Sequence, residues 1–278
     1  MSSISINVPK RLTMLAPWKA DLIRLGAEGD GGYVIAHASL NEARGLISLG
    51  LAGEWSFDSD FLARRPNAEF LGVDRASGFL VHSVAAIRTL ISYPPRFQSS
   101  WRSLRIALRF LRLVPPLPFS SRRRFVRRWV RSRVVDRKRD ISIGEILQSF
   151  AISESIFLKV DIEGGEYDLI PEIAAAINSN PKLFSGICIE FHSIGSREAD
   201  FVEAVQKLQS EFRIIHLHAN NCVDLVGDFP DVIEVSFAPR LMVGQERVLE
   251  LPLQCLDWPN DASREDYRLV FEVSAINQ

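Results

Sequence analysis

Short apolar runs alternate with stretches of helical period along most of this chain. The apolar runs, each closed by a glycine, an acid or a histidine, cover residues 45–50, 68–74, 156–161, 185–192 and 213–218. Helical spacing of apolar positions covers residues 54–65, 78–90, 142–150, 167–178 and 199–212. Nearly continuous apolar runs are typical of parallel strands that are buried on both faces. The pattern predicts an α/β fold with a doubly wound, mostly parallel sheet.

The two ends of the chain extend this prediction. Two late apolar runs, residues 232–237 and 268–273, suit antiparallel strands at an edge of the sheet. Residues 1–40 precede the alternation and are predicted to form an N-terminal cap. A chain of 278 residues, 47% of them hydrophobic, can bury a large core, so we predict a single domain over 1–278.

One segment interrupts the alternation. Residues 96–139 contain 14 Arg, one Lys and a single acid, which leaves 18 basic against 33 acidic residues in the rest of the chain. The formal net charge of -1 therefore hides two regions of opposite charge. Apolar positions in the segment fall on one face of two short helices; they are Trp101, Leu104, Leu108 and Leu111, then Phe125, Val126, Trp129 and Val130. We predict a basic helical insertion made of two amphipathic helices that are joined by a proline-rich elbow.

Composition excludes several classes of protein. The balance of hydrophobic and charged residues excludes collagen-like, disordered and disulfide-framework chains. Cys188, Cys222 and Cys255 lie too far apart for a local zinc-ribbon pattern. No segment approaches the roughly 18 apolar residues of a membrane span, and the N-terminal residues are not typical of a signal peptide. We expect a cytoplasmic protein whose membrane contact, if present, is peripheral.

In open α/β sheets, ligands bind beyond the carboxyl ends of the strands, so the residues that follow each apolar run are the candidates for a site. The first such loop, residues 48–55, contains Gly50 and Gly53, which allow a ligand to approach the backbone and the next helix. It lacks the third glycine of dinucleotide sites and the Lys-Ser/Thr of a phosphate loop. An ordinary tight turn is the alternative interpretation.

Two acidic positions strengthen the case for a nucleoside ligand. Asp74 closes the second run 24 residues after Gly50, the spacing at which an acid accepts hydrogen bonds from ribose hydroxyls. Its alternative role is to cap the following helix. After the run at 156–161, Glu163-Gly164-Gly165-Glu166 follows Asp161 directly, which is more acid and glycine than a turn requires. Glu166 has a structural alternative as a first-turn acid favoured by the helix dipole.

These segments resemble the FkbM-type S-adenosylmethionine-dependent methyltransferases. The most specific match is LKVDIEGGEYDLI, and the segments RLGAEGDGGYVI, ISLGLAGEWSFDSDF, IEFH, HLHANN and PDVIEVSF follow the order of the family. The likeness runs from Arg24 to about Val273 but is absent from 96–139, where the third strand of the family and its adenine-contacting acid are not recognisable.

The resemblance implies a class I methyltransferase fold, which is Rossmann-like, with S-adenosylmethionine as methyl donor and a hydroxyl of a saccharide, glycolipid or small metabolite as acceptor. Asp161 and Glu163 would stand where donor and acceptor meet. A lid of residues 29–33 would fold over the site. The cofactor-binding residues implied are Gly31, Gly32, Ser48, Gly50, Gly53, Glu54, Asp74, Arg75 and Asp161.

An alcohol must lose a proton when it is methylated, so a base is expected near the acceptor. We predict the catalytic residues to be Asp161, Glu163, His192 and His218, with Glu190 as a further candidate base. Glu190 and His192 share one face of their strand, as do His216 and His218, although His216 is expected to be only a packed histidine. A metal bound by Asp161, Glu190, His192, His218 and Asn220 is the alternative. None of their spacings is a recognised motif, so no metal is predicted.

The basic segment leaves the partner open. Its arginines and aromatic residues suit an anionic membrane surface, an acidic acceptor or, less well, nucleic acid. A helical lid whose arginines balance the acidic remainder is the structural alternative. The competing function is a non-catalytic Rossmann-like module that binds anionic membrane or RNA through this segment.

Overall fold

A seven-stranded sheet crosses the middle of the protein in this computed structural model, which describes residues 3–75 and 122–272. The strands of the sheet in chain order are β4 (Gly45–Leu49), β5 (Glu69–Val73), β6 (Arg123–Val126), β9 (Ile156–Val160), β10 (Phe184–Phe191), β11 (Phe212–Ala219) and β14 (Ile233–Pro239). Their order in space is β11-β14-β10-β9-β4-β5-β6. Only β14 is antiparallel to its neighbours. The predicted doubly wound, mostly parallel α/β fold is confirmed.

Helices pack on both faces of the sheet. They are α1 (His37–Glu42), α2 (Ser56–Arg64), α3 (Ile143–Ser149), α4 (Glu166–Ser179) and α5 (Ile194–Leu208). One apolar core joins α1 and α2 to the face that carries Phe157, and a second joins α3, α4 and α5 to the face that carries Leu158. Side chains of a strand alternate between faces, which explains why consecutive residues of β9 belong to different cores. Among the described residues, no helix is both long and apolar enough to cross a bilayer.

Smaller elements surround the main sheet. The remaining strands are β1 (Ser3–Asn7), β2 (Leu22–Leu25), β3 (Tyr33–Ala36), β7 (Trp129–Val130), β8 (Asp140–Ile141), β12 (Leu225–Val226), β13 (Phe229–Pro230), β15 (Glu250–Leu251) and β16 (Asp266–Val270). β1, β16 and β15 form a three-stranded sheet, while β2 pairs with β3 and β7 with β8. Two short 3-10 helices cover Lys10–Leu15 and Arg240–Met242.

The prediction of a helix over the second half of the basic segment is wrong. Residues Arg123–Val126 form β6, which pairs in parallel with β5, and Trp129–Val130 form β7. Pairs of apolar residues separated by arginines fit a strand as well as a helix, and pairing with β5 decides between them. The segment therefore supplies the third strand that could not be recognised in the sequence. The predicted helices over the first half and over 78–90 lie outside the described residues.

Two late strands also differ from expectation. The run at 232–237 is antiparallel as predicted, but β14 lies between β10 and β11 rather than at an edge. The run at 268–273 contributes to β16, which belongs to the small sheet with β1.

The order of the strands fixes where a ligand site is possible. From β4 the sheet grows through β5 to β6 on one side, and from β9 it grows through β10 on the other. The switch point between β4 and β9 separates the loops that follow these strands, which is where doubly wound folds bind ligands.

Candidate functional site

The loops after β4 and β9 lock into one another. Gly50 has φ +75, and a Cβ at this position would lie 1.6 Å from the backbone oxygen of Asp161. The Asp161 N–H donates to the Leu49 carbonyl at 2.9 Å. Only glycine lacks the Cβ that would clash here and adopts this φ readily. The close approach of the two loops therefore requires glycine at position 50.

Asp74 holds the glycine loop from the neighbouring strand. Its Oδ2 accepts hydrogen bonds from the N–H groups of Leu51 at 3.0 Å and Ala52 at 2.7 Å. The residue is buried at the end of β5. The carboxylate thus shapes the loop after β4, a role that differs from the helix cap considered as an alternative.

A cavity of about 420 Å³ opens beyond these loops. It is lined by Gly50, Ala52, Val73, Asp74, Arg75, Arg128, Trp129, Val130, Arg131, Asp161, Ile162, Glu163 and Gly165. Five residues that the sequence indicated, Gly50, Asp74, Arg75, Asp161 and Glu163, therefore meet around one space. The loop from β6 into β7 closes the cavity on the side of the basic segment, which the sequence did not indicate.

Other predicted cofactor residues lie outside this lining. Ser48 is fully buried within β4. Gly31 packs against Glu54, since a Cβ on Gly31 would meet the Glu54 side chain at 2.2 Å. Gly32 and Gly53 are likewise not among the lining residues that the structure describes. The glycine-rich segment 29–33 packs on the start of α2, and its role as a lid remains a prediction.

Asp161 is anchored by two residues on the same face of the sheet. The Tyr33 hydroxyl donates to Asp161 Oδ2 at 3.1 Å, and Lys159 Nζ lies 3.4 Å from the same oxygen. Burial lowers the pKa of Lys159, but the Asp161 and Asp58 carboxylates outweigh it and hold that pKa above its usual range. Burial, together with Asp161, raises the pKa of Tyr33. Lys159 is thus a buried cation that fixes the charge and position of Asp161.

Glu190 and His192 lie beside Asp161 at the end of β10. His192 Nδ1 is 2.6 Å from Glu166 Oε1, and His192 Nε2 is 3.7 Å from Glu163 Oε2. Burial opposes protonation, but the bond to Glu166 and the charge of Glu190 raise the pKa of His192 to about 9. Burial and the nearby Asp161 carboxylate raise the pKa of Glu190 well above its usual range. Glu190 and His192, which share one face of their strand, thus both lie next to Asp161.

His218 lies in a sealed environment. It is 3% exposed and sits between Glu234 Oε2 at 3.8 Å and Asp266 Oδ1 at 3.7 Å. Burial opposes its protonation, but these two carboxylates raise the pKa of His218 to about 10. His216 is also buried, with Nε2 3.0 Å from Asp257, as expected of a packed strand histidine. His218 is not among the described residues that line the cavity.

Sequence reasoning missed three contributors to the site. Tyr33 belongs to the segment taken as a lid, and nothing in its spacing indicated contact with Asp161. Glu166 was interpreted as a first-turn acid; it does begin α4, but its fully buried side chain also orients His192. Trp129 was placed on a helix. Only Glu166 gave a signal in the sequence, because it belongs to the segment LKVDIEGGEYDLI that carries the resemblance.

Comparisons with known proteins give no family: no family model matches the chain, and no curated protein matches it. Methyltransferase FkbM from Methylobacillus flagellatus KT aligns with 70% of this chain and 44% of its own, at 13% identity and a TM-score of 0.39. The alignment thus spans less than half of that protein. Precorrin-6y C5,15-methyltransferase from Geobacter metallireducens GS-15 aligns with 73% of this chain and 86% of its own, at 10% identity and a TM-score of 0.35. Cofactor-bound Rv0187 from MTB covers 73% and 76%, at 16% identity and a TM-score of 0.33. TM-scores this low assign no activity.

Proposed function

We propose that this chain is an S-adenosylmethionine-dependent methyltransferase that methylates a hydroxyl of a saccharide, a glycolipid or another small metabolite. The observation that carries the proposal is the cavity at the switch point. It brings together the three loops that the sequence marks, through Gly50, Asp74 and Asp161. Its volume of about 420 Å³ lies in the usual range for small-molecule sites.

The residues of the cavity fit this cofactor. Asp74 offers a buried carboxylate for ribose hydroxyls, and the loop at Gly50 brings backbone close to the ligand. Arg75 and Trp129 supply a cation and an aromatic face at the far wall. When bound, the cofactor supplies a methyl group on a sulfonium. The protein then has to hold the acceptor in line with that group.

Glu163 is the proposed acceptor of the hydroxyl proton. It lines the cavity, and its side chain is 79% exposed, so an acceptor can reach it. It also has φ +57, an uncommon conformation for a residue other than glycine, and such strain concentrates at functional sites. Asp161 is less suited as base because Lys159 and Tyr33 already hold its Oδ2. We propose that Asp161 positions the acceptor instead.

Calorimetry with S-adenosylmethionine and S-adenosylhomocysteine tests the cofactor. We expect both to bind, and Asp74→Ala to weaken binding at least tenfold because the carboxylate is lost. Asp74→Asn separates charge from shape, since its amide oxygen can still accept the two loop N–H groups. Asp21→Ala is the matched control, because Asp21 is an exposed carboxylate outside the cavity. If neither compound binds, or if Asp74→Ala binds as well as wild type, the proposal fails.

Release of S-adenosylhomocysteine, measured against a panel of saccharides, glycolipids and phenols, tests the acceptor class. With an acceptor found in this way, Glu163→Gln should lower kcat by about 10²–10⁴, the usual contribution of a general base, and leave cofactor affinity unchanged. An unchanged kcat would assign the proton to another group.

The basic segment is proposed to contact an anionic membrane or glycolipid surface. The supporting observation is Trp129, which is 45% exposed between arginines at the rim of the cavity. Arginines beside an exposed aromatic residue suit a lipid interface. Co-sedimentation with anionic vesicles at low and high salt tests this partner. Absence of binding at low salt would leave the segment with a role in the cavity alone.

A further inference from the structure

Three side chains at the ends of β9 and β10 turn polar atoms toward one point. Asp161, Glu190 and His192 each offer an oxygen or nitrogen atom, and these atoms all lie within 4.8 Å of one another. Glu190 lies on β10 and His192 follows that strand directly, while Asp161 follows the adjacent parallel strand β9. The set combines two carboxylates with one imidazole.

Each of the three is anchored through its other polar atom. Asp161 Oδ2 accepts from Tyr33. Glu190 Oε1 accepts from Asn220 Nδ2 at 2.8 Å, and His192 Nδ1 donates to Glu166 Oε1 at 2.6 Å. Carboxylates that hold the distal nitrogen of a histidine are typical of metal-binding histidines, because they fix the ring and its tautomer.

The atoms that remain have no hydrogen bond from the described residues. Glu190 is the clearest case: its side chain is only 8% exposed, and the nearest cationic atom to its Oε2 is His192 Nε2, at 3.9 Å. Within residues 3–75 and 122–272, the ion-pair neighbours of His192 Nε2 are Glu163 Oε2 at 3.7 Å and Glu190 Oε2 at 3.9 Å, both beyond hydrogen-bond distance. A carboxylate whose side chain is this deeply buried is costly to keep charged unless a cation meets it.

We infer that Asp161, Glu190 and His192 bind one divalent cation, and that Mn²⁺ matches the set best. Carboxylates favour Mg²⁺, Ca²⁺ and Mn²⁺, whereas imidazole favours the transition metals, so a mixed set selects the ion common to both. Three atoms within 4.8 Å of one another share a point that lies at most about 2.8 Å from each, against metal–ligand bonds of about 2.0–2.4 Å. Shifts of less than about 1 Å close the site.

Local charge agrees with this inference. Glu166 and Glu190 have side chains that are 0% and 8% exposed, and Asp161 and Glu163 lie next to them. Lys159 is bound to the Asp161 oxygen that Tyr33 also uses, and does not contact the other carboxylates in the described structure. A divalent ion offsets the negative charge that these carboxylates place around one point.

This proposal differs from the prediction of no metal, which was made because the ligands follow no recognised spacing along the chain. The ligands come together because β9 and β10 pair in the sheet. Its existence does not depend on the proposed function. Its consequence does: a cation beside Asp161 would lower the pKa of an acceptor hydroxyl bound to it and ease the transfer of its proton to Glu163.

The test uses the full chain, stripped with a chelator and titrated with Mn²⁺ in the absence of S-adenosylmethionine. Loss of the EPR signal of free Mn²⁺ should show one ion bound per chain, and pulsed EPR should show nitrogen coupling from one imidazole. Glu190→Gln and His192→Gln should each weaken binding at least tenfold, and His192→Gln should remove the nitrogen coupling. Glu166→Gln should weaken binding about ten- to a hundredfold, because the ring loses its orientation.

Matched controls are His37→Gln and Glu154→Gln, which remove exposed ion-pair partners far from the cluster along the sheet and should change nothing. The inference is overturned if the wild-type protein binds no Mn²⁺ at millimolar concentration, or if bound Mn²⁺ shows no nitrogen coupling. Both measurements need only wild-type protein, so a variant that does not fold leaves the test intact. Cofactor binding is measured separately, so this site and the proposed function fail independently.

Discussion

Along the carboxyl edge of the sheet, the loops after β4, β5 and β9 leave an open cavity, whereas the ends of β10, β14 and β11 are packed with charged side chains. On the open side, the approach of Gly50 to Asp161 and the bonds of Asp74 to loop N–H groups shape the space. On the sealed side, Glu190, Glu234 and His218 lie opposite one another on three paired strands. On the open side, backbone contacts leave room for a ligand. On the sealed side, charged side chains pair with one another and exclude water.

The difference teaches where substitutions should affect stability and where they should affect binding. Buried charges that are paired with one another are costly to separate, because the remaining partner stays desolvated. Replacing a side chain that lines an open cavity lowers the free energy of unfolding little, since water takes its place, whereas a position held by backbone contact does not tolerate an added side chain. Asp161 lies at the boundary and belongs to both halves.

The largest expected effect is on the open side, at its backbone. Gly50→Ala should lower the free energy of unfolding by more than about 4 kcal/mol or prevent folding, because its Cβ would overlap the Asp161 carbonyl. Gly227→Ala is the matched control: Gly227 has φ +66, and no atom lies within 4 Å of the added Cβ. Gly227→Ala should lower the free energy of unfolding by only about 1–2 kcal/mol, the cost of holding a residue with a Cβ in the left-handed conformation. Urea unfolding measures both, and equal costs would contradict the interlocking of the loops.

The next effect tests the sealed side. His218→Gln should lower the free energy of unfolding by about 3 kcal/mol at neutral pH, because Glu234 and Asp266 would lose the cation between them. His37→Gln, an exposed histidine beside Asp21, is the control and should have no measurable effect. A loss no larger than that of the control would show that the sealed side does not depend on paired charge.

The pH dependence of His218 sharpens the same contrast. Its folded-state pKa is raised to about 10, whereas an unfolded histidine titrates near about 6.5. The unfolded state therefore loses its proton first, and the stabilisation is complete below about pH 6.5 and declines as pH rises toward about 10. Chemical denaturation at several pH values should show this decline in the wild type, and a flatter profile for His218→Gln. Parallel profiles would contradict it.

A smaller effect is expected at the boundary. Tyr33→Phe keeps the ring, which packs edge-on against Phe57 at 5.5 Å, and removes the hydroxyl that donates to Asp161. A hydrogen bond to a charged acceptor contributes about 1.5–3 kcal/mol, so a loss near about 2 kcal/mol is expected. Tyr167→Phe, whose hydroxyl donates to a neutral carbonyl on His192, should lose about 1 kcal/mol. Thermal and urea unfolding of both variants compare them directly.

The smallest effect on stability, with a clear effect on binding, is expected at the rim. Arg131→Gln should leave the free energy of unfolding within about 0.5 kcal/mol of wild type, since the side chain is 58% exposed. It should weaken cofactor binding severalfold, because Arg131 lines the cavity. Arg137→Gln, also exposed but not among the described lining residues, should change neither. A larger loss of stability for Arg131→Gln would remove the distinction between the two halves.

Much of the fold was predictable because apolar runs report burial directly. The runs that became β4, β5, β9, β10 and β11 are continuous, and each is buried in the structure. The prediction for the second half of the basic segment was wrong because pairs of apolar residues among arginines fit the period of a strand as well as that of a helix. What decided the matter was the pairing of Phe125 and Val126 with Gly72 and Val73, a contact between residues about 50 positions apart.

The candidate site was predictable only where its residues directly follow predicted strands. Gly50, Asp74 and Asp161 each follow a predicted strand, so strand order alone brings them together. The contact of His192 with Glu166 joins a strand end to a helix start, and no spacing rule anticipates it. Pairs of this kind depend on how the elements pack against one another, and that packing cannot be read from the spacing of residues along the chain.

Strand β6 is the outermost strand of the sheet among the described residues, and it reads Arg-Arg-Phe-Val. An edge strand carries unpaired backbone groups that invite a second chain to extend the sheet, and proteins discourage this with charge. Arg123 and Arg124 place two cations along that edge, within a segment that contains 14 arginines in all. Charge of one sign opposes the pairing of this edge with the same edge of a second copy, so we expect neutralising these arginines to promote aggregation through β6.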